Sequence, residues 1–137
     1  MLGGADLKDI LAQDFQDTVD ELLIRNRGLL DTLTKFQDTA SRVSRALVKA
    51  ATHCGCIRIE AAKQGYPIDK DVKDIHDALD THIRGELCSH CRTILEQEMG
   101  VHIFYFTSIC NALDISLYDV ILQEKERMRT LGKFCMR

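Results

Sequence analysis

The chain has one proline, no tryptophan and few aromatic residues, 6% of its 137 positions. A lone proline, Pro67, leaves long stretches on both sides free of the residue that interrupts helices most strongly. The scarcity of aromatic rings removes the stacking platforms that hold single-stranded nucleic acids. A net charge of −3 gives no global attraction to nucleic acid or to an anionic membrane. No apolar run approaches the ~20 residues needed to span a bilayer. The opening Met1-Leu2-Gly3-Gly4-Ala5-Asp6 has neither the basic start nor the apolar stretch of a secretory signal. Neither nucleic acid nor a membrane is therefore an expected partner, and the expected compartment is the cytoplasm.

A composition of 45% hydrophobic and 28% charged residues is that of a globular chain. The length suits one domain, residues 1–137, able to bury a core without staples. From Phe15 onward apolar residues fall at Val19, Leu22, Leu23, Leu29, Leu30, Leu33, Phe36, Ala40, Val43 and Leu47. Steps of three and four predict one buried helical stripe, or two helices broken near Gly28. Gln64 to Asp69, around Pro67, reads as a loop. Asp71 to His82 follows as a short helix with Val72, Ile75 and Leu79 inward. A stronger helix begins near Glu86, with Leu87, Cys91, Leu95, Met99, Ile103, Phe106, Cys110 and Leu113 on its apolar stripe. Ser116 is its successor's N-cap, with Asp119 three residues on; Leu117, Val120, Ile121, Met128 and Leu131 face inward on that last helix. No segment reads as a strand. The fold class is all-α, an antiparallel bundle of four to five helices.

Six cysteines in a reducing compartment are ligands or buried apolar groups before they are disulfides. Cys88-Ser89-His90-Cys91 is a Cys-x-x-Cys pair at a helix start, and His53-Cys54-Gly55-Cys56 ends or interrupts the earlier helix. Two close-spaced pairs from separate segments match the four tetrahedral ligands that zinc prefers. Thirty-one residues lie between Cys56 and Cys88, so a metal there would clamp the Pro67 connection shut. In an unbroken helix, positions two apart point about 200° from each other. Cys54 and Cys56 share a metal only if Gly55 breaks the helix; otherwise His53 replaces Cys54 as the ligand. The breaker favours Cys54, Cys56, Cys88 and Cys91. Reduced core thiols, a redox-active pair and an iron–sulfur cluster are the alternatives, and Cys110 and Cys135 are expected as core thiols.

The run from Glu96 to Phe106 (EQEMGVHIFYF), the following Cys110-Asn111-Ala112-Leu113-Asp114-Ile115-Ser116-Leu117, and the ending Glu124 to Gly132 resemble the MazG-like family. That resemblance, clearest over the last forty residues or so, implies an all-α nucleoside triphosphate pyrophosphohydrolase fold that a partner chain completes as a homodimer, with a nucleotide as ligand. The family holds magnesium between a helix carrying Glu-x-x-Glu and one carrying Glu-x-x-Asp, because carboxylates three apart share a helix face. Glu98 matches the second motif's Glu, but Val101 stands at its Asp position. The first motif falls on His53 and Cys56, ligands too soft for magnesium. The leading expectation is a zinc-stabilised, non-catalytic binding or regulatory module. An active magnesium-dependent enzyme would rebuild its site from Glu60, Glu86 or Glu96, or use Glu98 and His102, four apart, as a metal or general-base pair. A thiol-based redox or metal sensor is the third reading. Lys125, Arg127, Arg129, Lys133 and Arg137 are candidate phosphate contacts or complements to the last helix's dipole.

Overall fold

A computed structural model describes residues 4–67 and 69–132, with side chains described from Ile10 onward; Lys133, Cys135 and Arg137 lie outside the described residues. Five α-helices form it: α1 (Gly4–Leu22), α2 (Leu29–Lys49), α3 (Val72–Ala78), α4 (Ser89–Ala112) and α5 (Leu117–Leu131). Two strands not expected from the sequence, β1 (Ile57–Ile59) and β2 (Ile83–Gly85), pair antiparallel with Ile57 opposite Gly85 and Ile59 opposite Ile83. Three residues are too few to display the alternation by which strands are recognised.

The first helical stretch is two helices, and α1 starts well before Phe15. Asn26 adopts a left-handed φ of 59°, which reverses the chain, and Gly28 caps α2. Thr32 Oγ1 donates to the carbonyls of Asn26 (2.6 Å) and Gly28 (3.1 Å), fastening the reversal to the helix it precedes. Asp71 caps α3 and Ser116 caps α5, each accepting a backbone N–H three residues on.

Helices α2 and α4 lie antiparallel along most of their lengths. Phe36 meets Phe106 at 6.1 Å, Thr39 meets His102 at 2.9 Å and Arg42 meets Glu98 at 3.0 Å. Ala50 and Cys91 share a buried cluster further along. The α2 side of this seam is Thr32, Phe36, Thr39, Val43, Ala46 and Ala50, all buried or half-buried at heptad spacing. Small residues at four of these positions leave little bulk between the helices.

The expected stripe is therefore corrected on both helices. Leu29, Leu30, Leu33, Ala40 and Leu47 are exposed, as are Met99, Ile103 and Phe106 on α4 and Leu113 just after it. On α1 and its exit, Val19 and Leu23 are buried while Leu22 is 65% exposed. Helix α5 packs through its first turns only: Leu117 is buried, whereas Ile121, Met128 and Leu131 are exposed. Of the α3 trio, Ile75 is buried, Leu79 half-buried and Val72 exposed.

A buried amide ties α1 to the α4–α5 turn. Gln16 Nε2 donates to Asn111 Oδ1 (2.9 Å) and to the Ile115 carbonyl (2.8 Å). Gln16 Oε1 accepts the Leu117 N–H at 2.8 Å, one of the α5 donors that helix geometry leaves unpaired. Asn111 Nδ2 returns a bond to the Gln16 carbonyl at 3.2 Å. Gln16→Ala leaves these groups without the amide, the buried Leu117 N–H among them, a cost of about 1–3 kcal/mol. Urea denaturation should show that loss as a lower midpoint; a midpoint equal to wild type would mean that water replaces the amide.

Candidate metal centre

The site starts at the far end of α2. After Lys49 the helix widens into a π-turn, Ala50–Cys54, and stops at Gly55 in the left-handed region (φ 78°). The Gly55 N–H donates to the Ala50 carbonyl at 2.9 Å, five residues back, which closes the turn. This is the break that lets Cys54 and Cys56 point to one place instead of opposite sides of a helix. The chain leaves along β1, makes its excursion through the Pro67 loop and α3, and returns along β2.

Cys88 is the N-cap of α4, its Sγ accepting the Cys91 N–H at 3.4 Å. The sulfurs of Cys54, Cys56, Cys88 and Cys91 all lie within 4.8 Å of one another. Among the described residues they are the sole such gathering of three or more Cys, His, Asp or Glu groups. All four are free thiols, and Cys54 Sγ stands 3.8 Å from Cys88 Sγ, far beyond a disulfide bond. His53 is exposed and is not among the converging groups.

The environment grades the four thiols. Cys54 is exposed, Cys56 and Cys88 are half-buried and Cys91 is buried. The backbone N–H of Cys91, followed by its side chain, draws the Cys88 thiol down to about 7, so its thiolate is present at neutral pH. Burial pushes Cys91 up to about 12, so without a metal it keeps its proton. A metal ion binding here displaces that proton, and acid opposes binding. Beneath the sulfurs, Ala50, Ile57 and Cys91 form a buried apolar cluster flanked by Ala51, Cys56, Leu87 and Cys88.

Four thiolates around one tetrahedral zinc ion at ~2.3 Å stand ~3.8 Å apart. The Cys54–Cys88 separation has that value, and the outer limit of 4.8 Å leaves little adjustment for the others. An iron–sulfur cluster, in which the thiolates bind different irons, spreads its sulfurs further. The donor set therefore fits a single soft metal ion.

Glu98 and His102 do share one face of α4, but each is engaged by α2. Glu98 forms a two-point ion pair with Arg42: Nη2 donates to Oε1 at 3.1 Å, and Nε lies 3.0 Å from Oε2 without an aligned hydrogen bond. His102 Nδ1 is 2.9 Å from Thr39 Oγ1, and its ring stacks on Phe36 at 4.6 Å. Arg42, not His53 or Cys56, thus stands opposite Glu98. Val101 lines the same ~670 Å³ cavity as Arg42 and Glu98, with Phe15, Phe104 and Tyr105 on its walls. Glu60 is paired with Arg58 and Arg84 beside the ribbon instead. Arg127 pairs with Glu124, and Arg129 approaches Glu126 at 3.9 Å.

Sequence reasoning missed the ribbon and Arg42. Isoleucines directly after Cys-Gly-Cys and shortly before Cys-x-x-Cys were the available signal for the former. For Arg42, one of two arginines on α2, no local signal exists. No protein-family model, no curated protein and no solved structure matches the chain.

Gly85 sets the ribbon's approach to the cysteines. Its φ is 83°, and a Cβ there would come 2.6 Å from the Cys56 carbonyl oxygen. Gly85→Ala therefore combines left-handed strain with a backbone clash against Cys56, costing about 1–3 kcal/mol. Thermal denaturation and metal content should fall together in this variant; full retention of both would show that the ribbon does not position Cys56.

Proposed function

We propose that the chain is a zinc-stabilised, MazG-like helical module that binds or regulates without catalysing hydrolysis. The observation that carries the reading is the convergence of four cysteine sulfurs within 4.8 Å. Zinc suits an all-thiolate tetrahedral set, and structural zinc sites contribute folding free energy directly. The ion joins the end of α2 to the start of α4 and closes the excursion between them. A reducing compartment such as the cytoplasm keeps the thiols available for it.

The MazG-like resemblance supplies the nucleotide as ligand class, and the cavity beside Arg42 and Glu98 is where it would sit. Catalysis by that family requires magnesium to polarise the phosphate and activate water. Val101 provides no ligand, and Arg42 already neutralises Glu98. A single carboxylate does not displace magnesium's hydration shell. Purified protein should carry about one zinc per chain and release no pyrophosphate from common nucleoside triphosphates with excess magnesium or manganese. Cys88→Ser should lose zinc and melt at lower temperature, while Cys110→Ala, away from the sulfurs, keeps its zinc. Metal-free wild-type protein of unchanged stability overturns the zinc reading. Magnesium-dependent turnover abolished by Glu98→Gln makes the protein an enzyme.

The same reading includes a homodimer. In an antiparallel pair, one step onward from each seam turns both helices toward the same side. Leu29, Leu33 and Leu47 of α2 therefore share a side with Met99 and Phe106 of α4, and all five are exposed. A second copy of this pair would complete a four-helix packing, and two-fold dimers are the commonest soluble assemblies. Sedimentation equilibrium should report a dimer that Leu33→Asp weakens; a monomer at high concentration rules the assembly out.

A further inference from the structure

We infer that Cys54 is a peroxide-reactive modification site whose oxidation, completed by Cys88, discharges the metal ion. The inference rests on the metal reading above and concerns how that site is regulated.

The four sulfurs are unequal in access. Cys54 is the exposed member, whereas Cys91 is buried and Cys56 and Cys88 are half-buried. Cys54 ends the π-turn, and on its far side Gly55 has no neighbour within 4 Å of where a side chain would begin. An oxidant therefore meets Cys54 first, along an open flank that the left-handed glycine keeps clear. A thiolate bound to zinc retains lone pairs and remains a nucleophile toward a peroxide, though an attenuated one.

The second thiol is chosen by exposure and orientation among three sulfurs that all lie within 4.8 Å of Cys54 Sγ. Cys88 Sγ lies 3.8 Å from Cys54 Sγ. Closing that gap to a bond of ~2.05 Å takes ~1.8 Å of combined movement, within reach of side-chain rotation at an exposed turn. Cys56 Sγ is turned toward the Ala50 carbonyl at 3.7 Å, and Cys91 lies in the apolar cluster beneath the site. The bond that forms joins the end of α2 to the N-cap of α4, in place of the metal bridge between them.

The chemistry balances with hydrogen peroxide as oxidant. The Cys54 thiolate attacks one peroxide oxygen, the O–O bond breaks, and sulfenic acid and hydroxide form. The Cys88 thiolate then attacks the Cys54 sulfur, the S–O bond breaks, and a disulfide and a second hydroxide form. Two electrons pass from the sulfur pair to the peroxide, and two protons from solvent convert the hydroxides to water. Zinc, unchanged in oxidation state, keeps only Cys56 and Cys91 and leaves. A thiol reductant returns both thiolates and restores the site when zinc is supplied.

The test uses the full chain as purified, with zinc quantified before treatment. Hydrogen peroxide is added with a chromogenic zinc chelator present, and the products are digested without reduction for peptide mapping by mass spectrometry. The expected result is release of all bound zinc with one disulfide joining Cys54 to Cys88, reversed by dithiothreitol and added zinc. Three outcomes overturn the inference while leaving the metal reading intact: zinc retained under peroxide, zinc released with a disulfide joining Cys88 to Cys91 or Cys54 to Cys56, or zinc released through irreversible sulfinic acid. Protein purified without zinc removes the metal reading, and this inference with it. Because the mapping is done on the wild-type chain, no variant need fold for the result to decide.

Discussion

Four sulfur atoms must reach one point from two chain segments thirty-one residues apart, and much of the local backbone follows from that requirement. A regular α2 would send Cys54 and Cys56 to opposite sides. The π-turn widens the helix by a residue, Gly55 takes a positive φ, and the chain turns back before Cys56. On the returning side, Gly85 also takes a positive φ, and the Cys56 carbonyl leaves no room there for a side chain. Cys88 then serves as ligand candidate and helix cap at once. The apolar cluster of Ala50, Ile57 and Cys91 lies directly under these turns, so the irregular backbone is backed by part of the core.

The rest of the fold is organised around the α2–α4 seam, which begins at this clamp and runs to Phe36 and Phe106. Its middle is polar. Thr39 and His102 occupy positions that a simple bundle fills with aliphatic side chains, Arg42 and Glu98 flank them, and each has its partner across the seam. Such pairs specify register, because sliding either helix by one turn would separate the guanidinium from the carboxylate and leave both partly desolvated. The same arrangement explains why Glu98 is a poor start for a magnesium site. A carboxylate held at two points by arginine is already neutralised, and a divalent ion would have to displace the arginine as well as its own water.

Much of this was legible from the residues. The helices announced themselves by periodicity, Ser116 by its relation to Asp119, and the cysteines by their spacing. The glycine between Cys54 and Cys56 was the reason to prefer cysteine over His53, and the structure puts Gly55 in a conformation that ends the helix. What could not be read was which side of α2 is buried. Two heptad stripes run along that helix and share Phe36 and Val43; the one richer in leucine faces outward, and the one with threonine and alanine meets α4. Hydrophobicity alone chooses the wrong stripe, because close helix approach rewards small side chains. The ribbon was invisible for a different reason: its two strands are defined by each other, across a gap of over twenty residues, and not by local pattern. Arg42 and Gln16 belong to the same class, since their importance lies wholly in partners remote in sequence.

The excursion between Ile59 and Ile83 is sealed at its base. The ribbon pairs its two ends, the Glu60 N–H donates to the His82 carbonyl, and Gln64 exchanges hydrogen bonds with the backbone of Asp80. Arg84 adds ion pairs to Asp80 and Glu60, holding the Asp80 carboxyl well below its usual range. The hydrogen bonds and ion pairs of this base lie within the ribbon and its flanks, on Glu60, Gln64, Asp80, His82 and Arg84. Doubling the length of a flexible loop costs only about 0.6 kcal/mol in closure entropy, so segments of quite different size can be spliced between Gln64 and Asp80 while the sulfurs keep their places. The fold thus carries a socket, in which the α3 region is interchangeable and the cysteine-bearing base is not.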